Sequence, residues 1–294
     1  MPLRSQSMRF LVLTALVWFS PGLWAQGESL GNDGPLARAV HLAESLRNAE
    51  VDAARDSLNA SLKAAVREVL EADGALSADL SALPLSRVDA PDGTFRLITW
   101  NVPYADGHHG YEGLLLMKER RGTALYELRD QTRGIDPPEL AELGPEKWFG
   151  AVYYAVVPVK RGGKTWYTLL GWKGHSRVQT HKVIEVLSFR GGKPRFGAPL
   201  FGEGRLKQQR VVFRYGFQVT MALRPVPGAD RIVLDHLSPS RADLEGQYAF
   251  YGPDLSYDAY QWDGRSWVFE RDVDAKDLER SGKPWNAPPK APGP

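Results

Sequence analysis

The sequence predicts a mainly β protein, an antiparallel meander closing as a sandwich or barrel, preceded by an N-terminal α-helical segment. A small propeller-like closure is the alternative. Three observations carry this prediction. The apolar period changes from 3.6 to 2 at Pro91-Asp92-Gly93. A series of short runs rich in Val, Tyr, Phe and Trp follows, separated by Gly, Asp and Pro turns. No long helical pattern lies between those runs, as the crossovers of a parallel sheet would need.

Taken in order, residues 1–25 read as a signal peptide rather than as part of the fold. Arg4 and Arg9 form a basic region, Phe10 to Phe19 an apolar run, and Pro21-Gly22 a break before Ala25. The run is too short to span a bilayer as a stable helix. Leu23 is a poor match to the small residue favoured before a cleavage site, and Met8-Arg9-Phe10 opens an equally good signal. Residues 26–90 read as helical. Pro35 suits a first turn, and Leu36, Ala39, Val40, Ala43 and Leu46 recur at helical spacing. A second stripe runs from Val51 through Ala54, Leu58, Leu62, Ala65 and Val66 to Val69, and stops at Asp73-Gly74. Both stripes are narrow and Ala-rich, so these helices need a surface to pack on.

Residues 91–276 form the expected β domain. Its strands are read at Phe95–Trp100, Tyr111–Lys118, Thr123–Leu128, Trp148–Val159, Thr165–Trp172, Thr180–Phe189, Arg195–Phe201, Arg210–Phe217, Val219–Leu223, Arg231–Leu237, Tyr248–Tyr251, Tyr257–Trp262 and Ser266–Val273. Gly162-Gly163, Gly191-Gly192 and Asp263-Gly264 read as hairpin tips. Asp136–Lys147 reads as a helical turn or loop excursion. Gly171-Trp-Lys-Gly174 and Gln261-Trp-Asp-Gly264 share a pattern that hints at a blade-like repeat. Residues 277–294 form a Pro-rich tail.

Composition excludes whole classes of chemistry. With 43% hydrophobic residues the chain carries enough apolar surface for a packed core. The absence of Cys excludes thiolate metal sites, disulfides, a cysteine nucleophile and a lipid-modified N-terminal Cys. Without residues 1–25 the chain holds 35 basic and 35 acidic residues, with 6 against 11 over residues 26–90. Neither part forms the dense basic stripe that phosphate neutralisation needs, so nucleic acid is not an expected partner.

Several segments carry a resemblance when taken together and in order. They are Trp100-Asn-Val-Pro103, Thr168-Leu-Leu-Gly-Trp-Lys-Gly174, Lys182-Val-Ile-Glu-Val-Leu187 and Phe196-Gly-Ala-Pro-Leu-Phe201, followed by Val233-Leu-Asp-His-Leu-Ser-Pro239, Tyr251-Gly-Pro-Asp-Leu-Ser-Tyr-Asp258 and Trp267-Val-Phe-Glu-Arg-Asp-Val-Asp-Ala275. The chain resembles an uncharacterised family of exported proteins of Gram-negative bacteria. The resemblance implies export and a shared fold, and it brings no activity, cofactor or site residue. Lys173 and His175 depart from the acidic and Asn residues more usual in that family.

Asp235, His236 and Ser238 are close in sequence, but neighbours in a strand point to opposite faces, which argues against a triad. The six His show neither H-E-x-x-H nor H-x-H spacing, and Asp272, Asp274 and Asp277 lack the Gly and distal Glu of a calcium loop. No metal, cofactor or catalytic residue is therefore assigned. An aromatic and acidic group spans Tyr248, Phe250, Tyr251, Asp254, Tyr257, Asp258, Tyr260, Trp262, Asp263 and Trp267. Within it Asp258, Tyr260 and Trp262 share one strand face and are the candidate ligand-binding residues, with core packing as the weightier reading. The function expected is a non-catalytic binding or structural module of the periplasm or cell envelope, with a glycan or an envelope protein as partner. A hydrolase of glycan or peptide, and an accessory subunit docking through acidic N-terminal helices, are the alternatives. Export is checked by mass spectrometry of the secreted protein, which should show an N-terminus near Gln26; intact Met1 or Met8 would contradict it.

Overall fold

The computed structural model describes residues 34–202 and 207–274. The expected signal peptide and the Pro-rich tail lie outside the described residues. Helix α1 (Pro35–Asn48) carries Pro35 in its first turn, and α2 (Asp52–Glu71) ends before Gly74, whose φ of 75° suits the turn that follows. All strand pairs are antiparallel, and they form three sheets in chain order. Sheet I holds β1 (Ser86–Asp89), β2 (Phe95–Pro103), β3 (His109–Lys118) and β4 (Thr123–Arg129). Sheet II holds β5 (Val152–Arg161), β6 (Lys164–Gly174), β7 (Gln179–Arg190), β8 (Lys193–Phe196) and β9 (Arg210–Gly216). Sheet III holds β10 (Leu223–Pro225), β11 (Arg231–Pro239), β12 (Tyr251–Trp262) and β13 (Trp267–Glu270). In sheet II one edge of β7 is shared, β8 pairing with its C-terminal part and β9 with its N-terminal part.

Alternation along the strands builds a layered stack. Ile98, Trp100, Val102, Leu114 and Leu116 of sheet I face the two helices and bury Ala39, Ala43, Leu46, Leu62, Val66 and Leu70. The opposite face of sheet I, through Phe95, Leu97, Tyr111 and Leu115, packs on Tyr153, Tyr167, Leu169, Val183 and Leu187 of sheet II. The far face of sheet II, through Val157, Leu170, Ile184 and Val186, packs on Leu223, Ile232, Leu234, Tyr260, Trp262 and Trp267 of sheet III. Sheet II is therefore covered on both faces, so β7 is buried almost continuously where a half-exposed strand would alternate. The sheets are not closed into a barrel. The helices use their apolar stripes on sheet I, and polar groups complete the contact. The Trp100 indole donates to Asn59 Oδ1 at 2.7 Å, the Asn59 amide donates to Glu112 at 2.8 Å, and Lys63 lies 2.7 Å from Glu112.

Several elements differ from the sequence expectation. β1 precedes Pro91, because Ser86–Asp89 find β2 as a partner. Residues 248–250 form a 3-10 turn rather than a strand, and β12 starts at Tyr251 by pairing Gly252 and Pro253 with Ser238 and Leu237. Over Val219–Leu223 only Leu223 is paired, at the start of β10. The excursion after β4 carries 3-10 turns at Pro138–Leu140 and Pro145–Lys147. The two Gly-Trp-like pieces occupy unlike places, one inside β6 and the other at the β12–β13 turn, so they are not a repeat. The tips at Gly162-Gly163 and Gly191-Gly192 have positive φ at both positions, the conformation that tight hairpins require.

The inward face of β12 can be tested directly. Trp262 packs edge-on against Trp267 at 5.5 Å, and both are buried between sheets II and III. Trp262→Ala should destabilise the fold by about 3–5 kcal/mol in urea titration, as large aromatic truncations in cores do. An unchanged midpoint would mean that this face is not core.

Candidate functional site

The three residues singled out from the sequence do share a face, and that face points into the protein. Asp258, Tyr260 and Trp262 are all buried, opposite Leu234, Ile232 and the core of sheet II. They therefore offer no exposed stacking platform. Asp258, which is out of place in an apolar core, is satisfied by His236 and by the backbone of Asp272. Its Oδ2 lies 2.7 Å from His236 Nδ1, and its Oδ1 accepts the Asp272 N–H at 3.2 Å. A bulge in β11 between Asp235 and Leu237 makes this pairing possible by shifting the register around His236. The other ring nitrogen is 4.0 Å from Asp254, whose carboxylate accepts from the Ser256 N–H and hydroxyl. His236 thus crosslinks β11 to β12, and Asp235 instead accepts the Ala222 N–H at 2.7 Å.

The N-terminal half of the aromatic group behaves differently. Phe250 and Tyr251 line a cleft of about 470 Å³ where sheets II and III diverge, together with Phe217, Val219, Val178, Ser238 and Ser240. Phe217 is 53% exposed and Phe250 49%, large values for aromatic side chains inside a concave site. The backbone holds both walls in place. The Phe217 N–H donates to Val178 O at 3.1 Å, and the Ser240 N–H donates to Phe250 O at 2.9 Å. Gly216 is required where the 248–250 turn meets β9, because a Cβ there would sit 2.7 Å from Ala249 O. The strand that the period predicts through Phe217 ends one residue earlier, at Gly216, and Phe217, just past the last paired residue of β9, is exposed.

A second cleft, of about 400 Å³, opens between the start of β3 and the end of β6 and is polar. Lys173 forms its inner wall and is only 2% exposed. Its ammonium donates to Thr132 Oγ1 at 2.8 Å and to Gly150 O, and lies over the rings of Tyr111 (4.1 Å) and Phe149 (4.7 Å). Burial pushes its pKa down to about 8, against the raising pull of Asp130 and Glu185. His109 accepts from the Asn101 amide through Nδ1 at 3.0 Å, which places its proton on Nε2. Burial, with His108 and Lys173 nearby, lowers the His109 pKa to about 4. Gly174 lies under that ring, where a Cβ would come 2.7 Å from Nε2. His175 stacks on His181 at 4.4 Å, and its pKa is lowered by burial, Lys173 and Arg214.

His181 is the least comfortable group near this cleft. It is 5% exposed, and neither ring nitrogen has a hydrogen-bond partner among the described residues. Burial first, then His175, Arg214 and Lys173, hold its pKa near about 2, against 6.5 for a free imidazole. The β6–β7 connection separates the two clefts. His175 lines the polar one and Arg177 the apolar one, and the Arg177 guanidinium donates to Ala105 O in the β2–β3 turn. Gly107 in that turn has a φ of 89° and leaves room for the Arg177 side chain.

Because the folded-state pKa of His181 is depressed, the unfolded chain binds the extra proton, and stability falls as pH drops below about 6.5. Between pH 7 and 5 the His181 contribution should be roughly 2 kcal/mol, at 1.36 kcal/mol per unit. Thermal or urea melts of His181→Phe, which keeps a ring against His175, should show a correspondingly shallower acid loss than wild type. Identical pH dependence of the two proteins would contradict this role.

Among the described residues no helix is long and apolar enough to cross a membrane, and no group of three or more His, Asp or Glu is placed to hold a metal ion. No protein-family model, no curated protein and no solved structure matches this chain.

Proposed function

We propose that this protein is an exported, non-catalytic binding module of the cell envelope that seats a glycan in the cleft between sheets II and III. Export is supported by the basic and apolar segments of residues 1–25. The observation that carries the binding role is the pairing of half-exposed Phe217 and Phe250 in one concave site with the hydroxyls of Ser238 and Ser240. Flat apolar rings supply area at low entropic cost, and neighbouring hydroxyl, amide and guanidinium groups orient a ligand rich in hydroxyls. Gln218 and Arg177 add those last two groups.

A binding role is favoured over hydrolysis by how the polar groups near the cleft are used. His236, held by Asp258, is not among the residues that line the cleft, so no imidazole faces a ligand seated beside Ser238 and Ser240. Docking through the N-terminal helices is disfavoured because their apolar stripes are already buried on sheet I.

The test is calorimetric titration of the purified protein with soluble neutral and acidic oligosaccharides. Phe217→Ala and Phe250→Ala should each weaken binding at least tenfold, about 1.4 kcal/mol. Both melting midpoints should stay near wild type, as for most exposed substitutions. Absence of binding across the panel, or variants that bind like wild type, would refute the proposal.

A further inference from the structure

We infer that the ligand is an acidic oligosaccharide, its sugar rings on Phe217 and Phe250 and a carboxylate taken by the polar cleft beyond Arg177. This rests on the glycan reading of the apolar cleft and adds a second subsite to it. The two clefts are neighbours in the chain as well as in space. The two adjoin along the β6–β7 connection, where His175 lines one and Arg177, two residues on, lines the other.

The polar cleft has the electrostatic character of an anion site. Lys173 and Arg133 line it, with the imidazoles of His109 and His175. Burial is the main cause of the lowered pKa of His109, His175 and His181, and Lys173 adds a smaller push in the same direction. Asp130 is the carboxylate on this wall, and Asp106, bonded to His108, is a second one beside it within the influence of Arg133. The Asp130 Oδ1 is taken up by the Thr132 N–H at 3.0 Å and by the Thr132 hydroxyl, so it holds the turn together while Arg133 remains exposed at the rim. A ligand carboxylate here would meet the exposed Arg133 guanidinium at the rim, with the buried Lys173 charge behind it. Arg177, tied to the β2–β3 turn, stands between the clefts as a further cation along the same path.

Tetragalacturonate and its fully methyl-esterified form are suitable probes, because they share a backbone and differ in charge. At low salt the wild-type protein should bind the free acid at least tenfold more tightly than the ester, and 0.5 M NaCl should erase most of the difference. Arg133→Gln, an exposed substitution with little effect on folding, should bring the ratio of acid to ester affinity close to one. Equal affinity of wild type for acid and ester would overturn the acidic-ligand inference and leave the glycan reading standing. Binding of the acid that Phe217→Ala does not weaken would place recognition in the polar cleft alone and overturn the two-cleft arrangement. No binding of either probe would overturn the inference, and a further failure of the neutral oligosaccharides would overturn the glycan reading as well.

Discussion

Glu185 and Arg210 face each other in the dry layer between sheets I and II, neither with any solvent exposure, at 2.5 Å from Oε1 to Nε. Two charges so deeply buried are tolerable only when every remaining donor and acceptor is occupied. Here they are widely used. The Arg210 guanidinium also donates to Pro138 O and Phe196 O, which ties the excursion after β4 and the end of β8 to β9. The second Glu185 oxygen accepts from the Tyr153 hydroxyl, which itself accepts from the Trp148 indole at 3.1 Å. One ion pair therefore connects β5, β7, β8, β9 and the irregular segment between sheets I and II. Removing either partner from such a pair leaves a lone buried charge, which in proteins costs about 3–5 kcal/mol.

The placement of Tyr153 depends on its neighbours in turn. Gly171 lets the ring lie against β6, since a Cβ there would approach it to 3.0 Å, and the Tyr153 N–H donates to Thr99 of sheet I at 3.0 Å. With sheet II anchored on both faces, its β6–β7 end projects between sheets I and III. The clefts on either side of that end are consequences of this layering. Each inherits the character of the layer it opens from: aromatic on the side of sheet III, cationic and imidazole-rich on the side of sheet I.

Much of the fold was legible because β-strands advertise themselves by period and turn chemistry. The paired glycines at 162–163 and 191–192 mark real hairpins, and the stripes on α1 and α2 mark the helix faces that meet sheet I. The misread stretches fail for a common reason: strand pairing is a property of the partner. Ser86–Asp89 show little pattern of their own yet form β1, while Tyr248–Phe250 have strand-like composition and form a turn because β9 passes beneath them. The His236–Asp258 contact was hidden for a similar reason. Asp235 is adjacent in sequence but points elsewhere, and the carboxylate that reaches the imidazole comes from the next strand through a bulge.

Local pattern is enough to put Asp258, Tyr260 and Trp262 on one face, to make the N-terminal segment helical, and to make the rest antiparallel β structure without Cys chemistry. Alternation is a local property of the backbone, so it survives without knowledge of the partners. Which face is covered is decided only when the sheets stack. That step turned Tyr260 and Trp262 into core and left Phe217 and Phe250 open to solvent. It also enclosed Lys173 and His181, two groups that look like ordinary surface residues in the sequence. Burial is a sum over contacts from distant segments, and no single stretch of this chain contains that sum.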